Sequence, residues 1–185
     1  MGSNLTGGSH TLTISGGNFV LSNPSPSVTT LHTLIFTGTL AQSFDPGGAE
    51  FANVTFNTTD TVTLLDALSV TGTVTVDGAG AAVDFEANNA GFSQSTGQNF
   101  AITSGTVLVG TGEFICGTLS AAPAGIFTQT GNNGVNTQSA ENIIGAGTIN
   151  WDNNDEGGTL GLGASSASAV NYHHKHVTIT TTPIT

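Results

Sequence analysis

The side chains best equipped for chemistry crowd into one short stretch, Tyr172-His173-His174-Lys175-His176, in a chain of 185 residues with five histidines and a single basic Lys or Arg residue. In an extended chain His174 and His176 point to one side, and His173 and Lys175 to the other. Two imidazoles are too few to close a metal site. Three chains around a threefold axis would present six, enough to fill an octahedron around Fe²⁺, Co²⁺, Ni²⁺ or Zn²⁺ as a structural metal. The competing reading is a solvated basic tip on an acidic protein. A second oxygen-rich run, Asp152-Asn153-Asn154-Asp155-Glu156, could take Ca²⁺ through carboxylate and amide oxygens, although it lacks the glycine and distant glutamate of a dedicated calcium loop. Trp151 and Tyr172 are the chain's only Trp and Tyr. Exposed together, they would suit stacking on sugar rings.

Catalytic chemistry finds less material. Ser9 and His10 lie side by side, and His32 alternates with Leu34 and Phe36 in a pattern that directs it inward, yet neither stands in a nucleophile-elbow motif. Asp84 and Glu86, in VDFEA, share one side of an extended segment about 6.6 Å apart. Phe85 would then point inward and leave both carboxylates in solvent, so no paired-acid site is assigned. The glycine-rich GGTLGLGAS has neither the lysine of a phosphate-binding loop nor a following helix pattern. Cys116 is the only cysteine, which excludes an internal disulfide; its alternation with Phe114 makes it a small buried hydrophobe. No catalytic residue and no required cofactor is expected.

Composition narrows the partners. The formal net charge is −11, with twelve acidic residues against one basic, so nucleic acid and anionic membranes are repelled. No window approaches the ~18 apolar residues of a membrane span. The first residues, MGSNLTGGSH, lack the basic and apolar regions of an export signal, so the chain is expected either to assemble without secretion or to be a piece of something larger.

The elements that position these residues are strands. Short period-two runs such as TLIF, NVTF, TVTLL and TVLV end at Gly, Asn, Asp or Pro within a few residues, and helix signals are weak throughout. The apolar pairs Leu12/Ile14, Leu34/Phe36, Val54/Phe56 and Val74/Val76 follow one another at a nearly constant interval, and Val62/Leu64 is answered by Val83/Phe85 after a similar length of chain. Such spacing predicts an all-β fold, a right-handed parallel β-helix (β-solenoid) with ~20-residue rungs: apolar columns inside, Thr and Asn outside, Gly and Asn at the corners. An antiparallel β-sandwich or jelly roll is the alternative. The register blurs after residue 86 and resumes with Ile102, Val107/Val109, Phe114/Cys116 and Phe127; residues 131 to 147 read as a loop or an irregular rung. The chain divides into a solenoid-like domain (1–156), a small-residue connector (157–169) and a C-terminal strand (170–185), which either caps its own coil or lies on a neighbouring chain.

Two resemblances follow from these strings. FANVTFNTTDTVTLLDALSVTGTVTVDGAG and NFAITSGTVLVGTGEF, within about residues 50 to 112, resemble in cadence the β-helical stalk repeats of autotransporter and filamentous-haemagglutinin-type adhesins, which implies an extracellular or cell-surface coil used for adhesion or as a spacer. The chain also resembles β-solenoid bacteriophage fibre and spike proteins, which are mostly trimers and leave the cell by lysis. His174-Lys175-His176 is similar to the His-x-His element by which long tail-fibre tips hold iron on their threefold axis. The resulting expectation is a non-enzymatic structural protein of a virion, a fibre, spike or decoration component that forms a homo-oligomer (trimer or filament) or docks on other structural proteins. The alternative is an extracellular adhesin or carbohydrate-binding module whose partner is a surface glycan, or a filament-forming surface protein.

Overall fold

A computed structural model describes residues 10–21, 32–130, 138–153 and 170–174. Fifteen strands and no helix occur among them: β1 (Thr11–Ile14), β2 (Phe19–Val20), β3 (Thr33–Gly38), β4 (Gln42–Asp45), β5 (Glu50–Phe51), β6 (Asn53–Thr58), β7 (Thr61–Leu64), β8 (Leu68–Val70), β9 (Val74–Asp84), β10 (Phe92–Gln94), β11 (Asn99–Val109), β12 (Phe114–Gln129), β13 (Gln138–Gly145), β14 (Thr148–Asn153) and β15 (Val170–His174). Every recorded pairing between them is parallel. The fold is therefore a β-solenoid of about six turns, with rungs about 22 residues apart. The antiparallel alternative is excluded, because neighbouring strands run the same way and are joined by a full turn of the coil.

Three stacks of strands form the walls. The first wall runs β1, β3, β6, the front of β9, the front of β11, the middle of β12 and the end of β13. The second runs β2, β4, β7, the back halves of β9, β11 and β12, then β14 and β15. The third is shorter, with β5, β8, β10 and the starts of β12 and β13. The apolar pairs found in the sequence are the register partners of the first wall: Leu12 on Leu34, Ile14 on Phe36, Leu34 on Val54, Phe36 on Phe56, Val54 on Val74 and Phe56 on Val76. Val62 likewise stands on Val83 in the second wall.

The blurred stretch after residue 86 has a geometric cause. Phe100 pairs with Val74 across a longer stretch of chain than the earlier rungs use, because this rung carries a wide turn around Asn89, at φ 50°, before β10 and another turn at Gly97 before β11. Sequence reading also misjudged residues 138 to 145, where β13 is a regular strand of both the third and first walls and stacks on β12.

Phenylalanine fills the coil. Nine of the ten phenylalanines are buried and the tenth, Phe19, packs against them. Phe92 lies 5.0 Å from both Phe100 and Phe114, and Phe114 lies 5.2 Å from Phe127, so rings from different walls meet inside the shaft. Burying each contributes roughly 1.5–3 kcal/mol. The corner between the first and second walls needs glycine: Gly38, Gly80, Gly105 and Gly145 all have positive φ there. At Gly105 (φ 90°) a Cβ would also come within 2.7 Å of the Ala81 carbonyl oxygen.

Candidate functional site

The pleat that sends apolar side chains inward leaves alternate residues on each wall facing out, at least two per rung on the first wall and in register from rung to rung. On the first wall the two central outward columns are Thr11 and Thr13, Thr33 and Ile35, Asn53 and Thr55, Thr73 and Thr75, Asn99 and Ala101, Thr118 and Ser120, and Asn142 and Ile144, with Thr37, Asn57, Asp77 and Thr103 along one rim. Within these two columns, none carries a charge. The polar groups of this face turn toward their neighbours: Asn53 Oδ1 accepts from Thr73 N–H at 2.8 Å, Ser120 Oγ donates to Asn99 Oδ1 at 2.9 Å, and Asn142 Nδ2 reaches Thr118 Oγ1 at 3.5 Å.

The acids lie elsewhere. Asp45 and Asp84 stand on the second wall, Glu50 on the third, and Asp60, Asp66, Glu86 and Glu113 at turns. Asp77 marks the rim of the first wall, where Thr103 Oγ1 donates to its carboxylate. Glu141 Oε2 accepts from Gly97 N–H at 2.9 Å and so ties together residues 44 positions apart. Asp84 and Glu86 flank a fully buried Phe85, in the alternation read from the sequence. Both carboxylates hold local structure: Asp84 Oδ1 accepts from Ala87 N–H at 2.9 Å, and Thr130 Oγ1 donates to Glu86 Oε1.

His32 points inward as its alternation with Leu34 and Phe36 requires, and is 4% exposed. Its ring stacks on His10, with centroids 5.4 Å apart and planes 16° apart. His10 and His32 are separated by the same length of chain as the register partners Leu12 and Leu34, so the stack was readable from the repeat. Ser9 lies outside the described residues. Cys116 is buried, and that burial, helped by the Glu141 charge, pushes its thiol far above the ordinary range and leaves it a packing residue rather than a nucleophile.

At the far end of the coil β15 pairs with β14, and the register sets Trp151 beside Tyr172, Asp152 beside His173 and Asn153 beside His174. The two residues proposed for sugar stacking are thus neighbours on adjacent strands. His176, the second of the proposed metal pair, lies outside the described residues, as do Asn154, Asp155 and Glu156 of the proposed calcium run and the connector 157–169. Among the described residues no three His, Cys, Asp or Glu side chains gather as a metal site, and no helix is long and apolar enough to cross a membrane.

The outward rows of the first wall were not singled out from the sequence. Their signal was present: once the inner pairs are fixed, the residues flanking them are the outer rows. Comparison of the chain with protein-family models, curated proteins and solved structures finds no match.

Proposed function

We propose that this chain is a non-enzymatic structural protein that self-associates or docks on a larger assembly, as a fibre, spike or decoration component of a virion. The observation that supports this reading most directly is the first rung. Among the described residues β1 and β2 pair on one side only, with β3 and β4, and the inward Leu12, Ile14, Phe19 and Leu21 are only half-buried. An unpaired parallel edge over an incompletely covered apolar end recruits another chain. With one basic residue against twelve acids, such contacts rest on apolar, Thr and backbone groups instead of ion pairs. In a three-chain assembly His174 and His176 would supply six imidazoles to an axial Fe, Co, Ni or Zn ion.

Native mass measurement of the full chain under assembly conditions tests the reading. Discrete species larger than one chain are expected, and a lone monomer at every concentration would overturn it.

A second reading, an adhesin or carbohydrate-binding module, rests on the register pairing of Trp151 with Tyr172. Adjacent aromatic residues at one end of a rigid shaft suit a sugar chain. Glycan-array binding that disappears in Trp151→Ala supports it, and no binding to any array glycan ends it.

A further inference from the structure

We infer that the uncharged centre of the first wall's outer face is a docking surface for the same face of a second copy of this chain. The inference rests on the self-association reading above and assigns its contact.

Three observations carry it. Across its seven rungs the two central outward columns of the face hold only Thr, Asn, Ser, Ala and Ile, with Asp77 at one rim, whereas the other described acids lie on the second and third walls, at turns and at the start of the last rung. Two bodies of net charge −11 can approach closely only where neither presents a carboxylate. Several polar atoms of the face already bond within it, as Asn53 does with Thr73 and Asn99 with Ser120, so covering them strands few donors or acceptors. The face also repeats every ~4.8 Å along the shaft, and a second copy has that period by construction, so ridges and grooves match along its whole length.

Its size sets the strength. Six rung intervals of ~4.8 Å by a strand width of ~10–13 Å give roughly 300–400 Å² per copy. Stable protein pairs bury about 800 Å² per partner, so a single pair is weak and gains strength when chains are held together in an array. Because opposing carboxylates at the rims repel, salt strengthens this contact, opposite to its effect on an interface held by ion pairs.

Sedimentation of the full chain over a concentration series is the test. Association is expected to tighten at least about tenfold as salt rises from about 20 to about 300 mM, as screening of the like charges requires. Thr55→Asp/Thr75→Asp, which puts carboxylates in the centre of the face, should abolish it, whereas Thr63→Asp on the second wall should leave it intact. As a check that does not depend on adding charge, Thr75→Cys should cross-link to its counterpart under oxidised glutathione, because the middle rung meets itself in either orientation, while Thr63→Cys should not. Buried Cys116 stays silent in both. If the wild-type chain associates and the double aspartate associates equally, or Thr75→Cys gives no cross-link, the face assignment is wrong while self-association stands. If the wild-type chain is monomeric throughout, both fall; a face that instead binds a different protein or a solid surface overturns the assignment to a second copy.

Discussion

The first and second walls share one backbone plan and one inner core, yet their outer rows differ. Across seven rungs the two central outward columns of the first wall present no charge, and Asp77 stands at their rim, while the second wall carries Asp45 and Asp84 among Ser43, Thr61, Thr63, Thr106 and Thr128. Threonine serves both surfaces, because its branched Cβ favours extended backbone and its hydroxyl tolerates water. Strand formation therefore does not explain where the acids are absent. The inner rows specify the coil, and the outer rows are free to specify what each wall meets.

The largest test of that separation removes the shared interior. Phe114 touches Phe85, Phe92, Phe100 and Phe127 from the third wall. Phe114→Ala should cost about 3–5 kcal/mol in denaturant unfolding and weaken both walls together. If hydrogen exchange accelerates on one wall only, the walls are independent units and the comparison breaks. Next comes the corner joining them. Gly105→Ala places a Cβ against the Ala81 carbonyl in left-handed backbone, and a loss of about 1–3 kcal/mol is expected. An unchanged melting curve would mean that the corner relaxes freely.

A smaller effect belongs to the rows themselves. Asn53→Ala leaves Thr73 N–H without its 2.8 Å acceptor and should cost about 1 kcal/mol. On monomer stability alone, Thr75→Asp should change unfolding by no more than about 0.5 kcal/mol, whereas Thr63→Asp, set opposite Asp84, should cost about 0.2–1 kcal/mol through like-charge opposition. Their order in association, where only Thr75→Asp should interfere, is then the reverse of their order in folding. For the C-terminal end, elemental analysis of chain free of any affinity tag, compared with His174→Ala/His176→Ala, should show bound metal and a higher melting temperature only in the unaltered protein if the axial-ion reading holds.

Much of the fold was legible because the period is short and the inner residues are large. Leu34, Phe36, Val54 and Phe56 recur with nearly constant spacing, so their columns could be written down directly. The rung from Val74 to Phe100 was harder, because turn length in a coil is limited only by where the chain re-enters the stack, and the loop at Asn89 and Gly97 adds residues without disturbing any inner column. Residues 138 to 145 were missed for a different reason: Ala140, Ile143 and Gly145 are small or widely separated, and the strand bends between two walls, so no single alternation spans it. Of the candidate site residues, the inward setting of His32 and Cys116 and the flanking of Phe85 by Asp84 and Glu86 followed from parity alone. The pairing of Trp151 with Tyr172 did not, since they stand on either side of the connector 157–169 in the sequence and the backbone register of β14 and β15 brings them together.

The nearly uniform parallel stacking has a consequence for how such a molecule can change length. Each turn makes its strand-to-strand hydrogen bonds with the turns directly before and after it, and side-chain bonds such as those of Gly97 with Glu141 and Thr130 with Glu86 span two, so duplication or loss of one whole unit of about 22 residues leaves the remaining strand junctions as they were. The protein then behaves as a ruler graduated in steps of ~4.8 Å, and its reach could be reset without redesigning its interior.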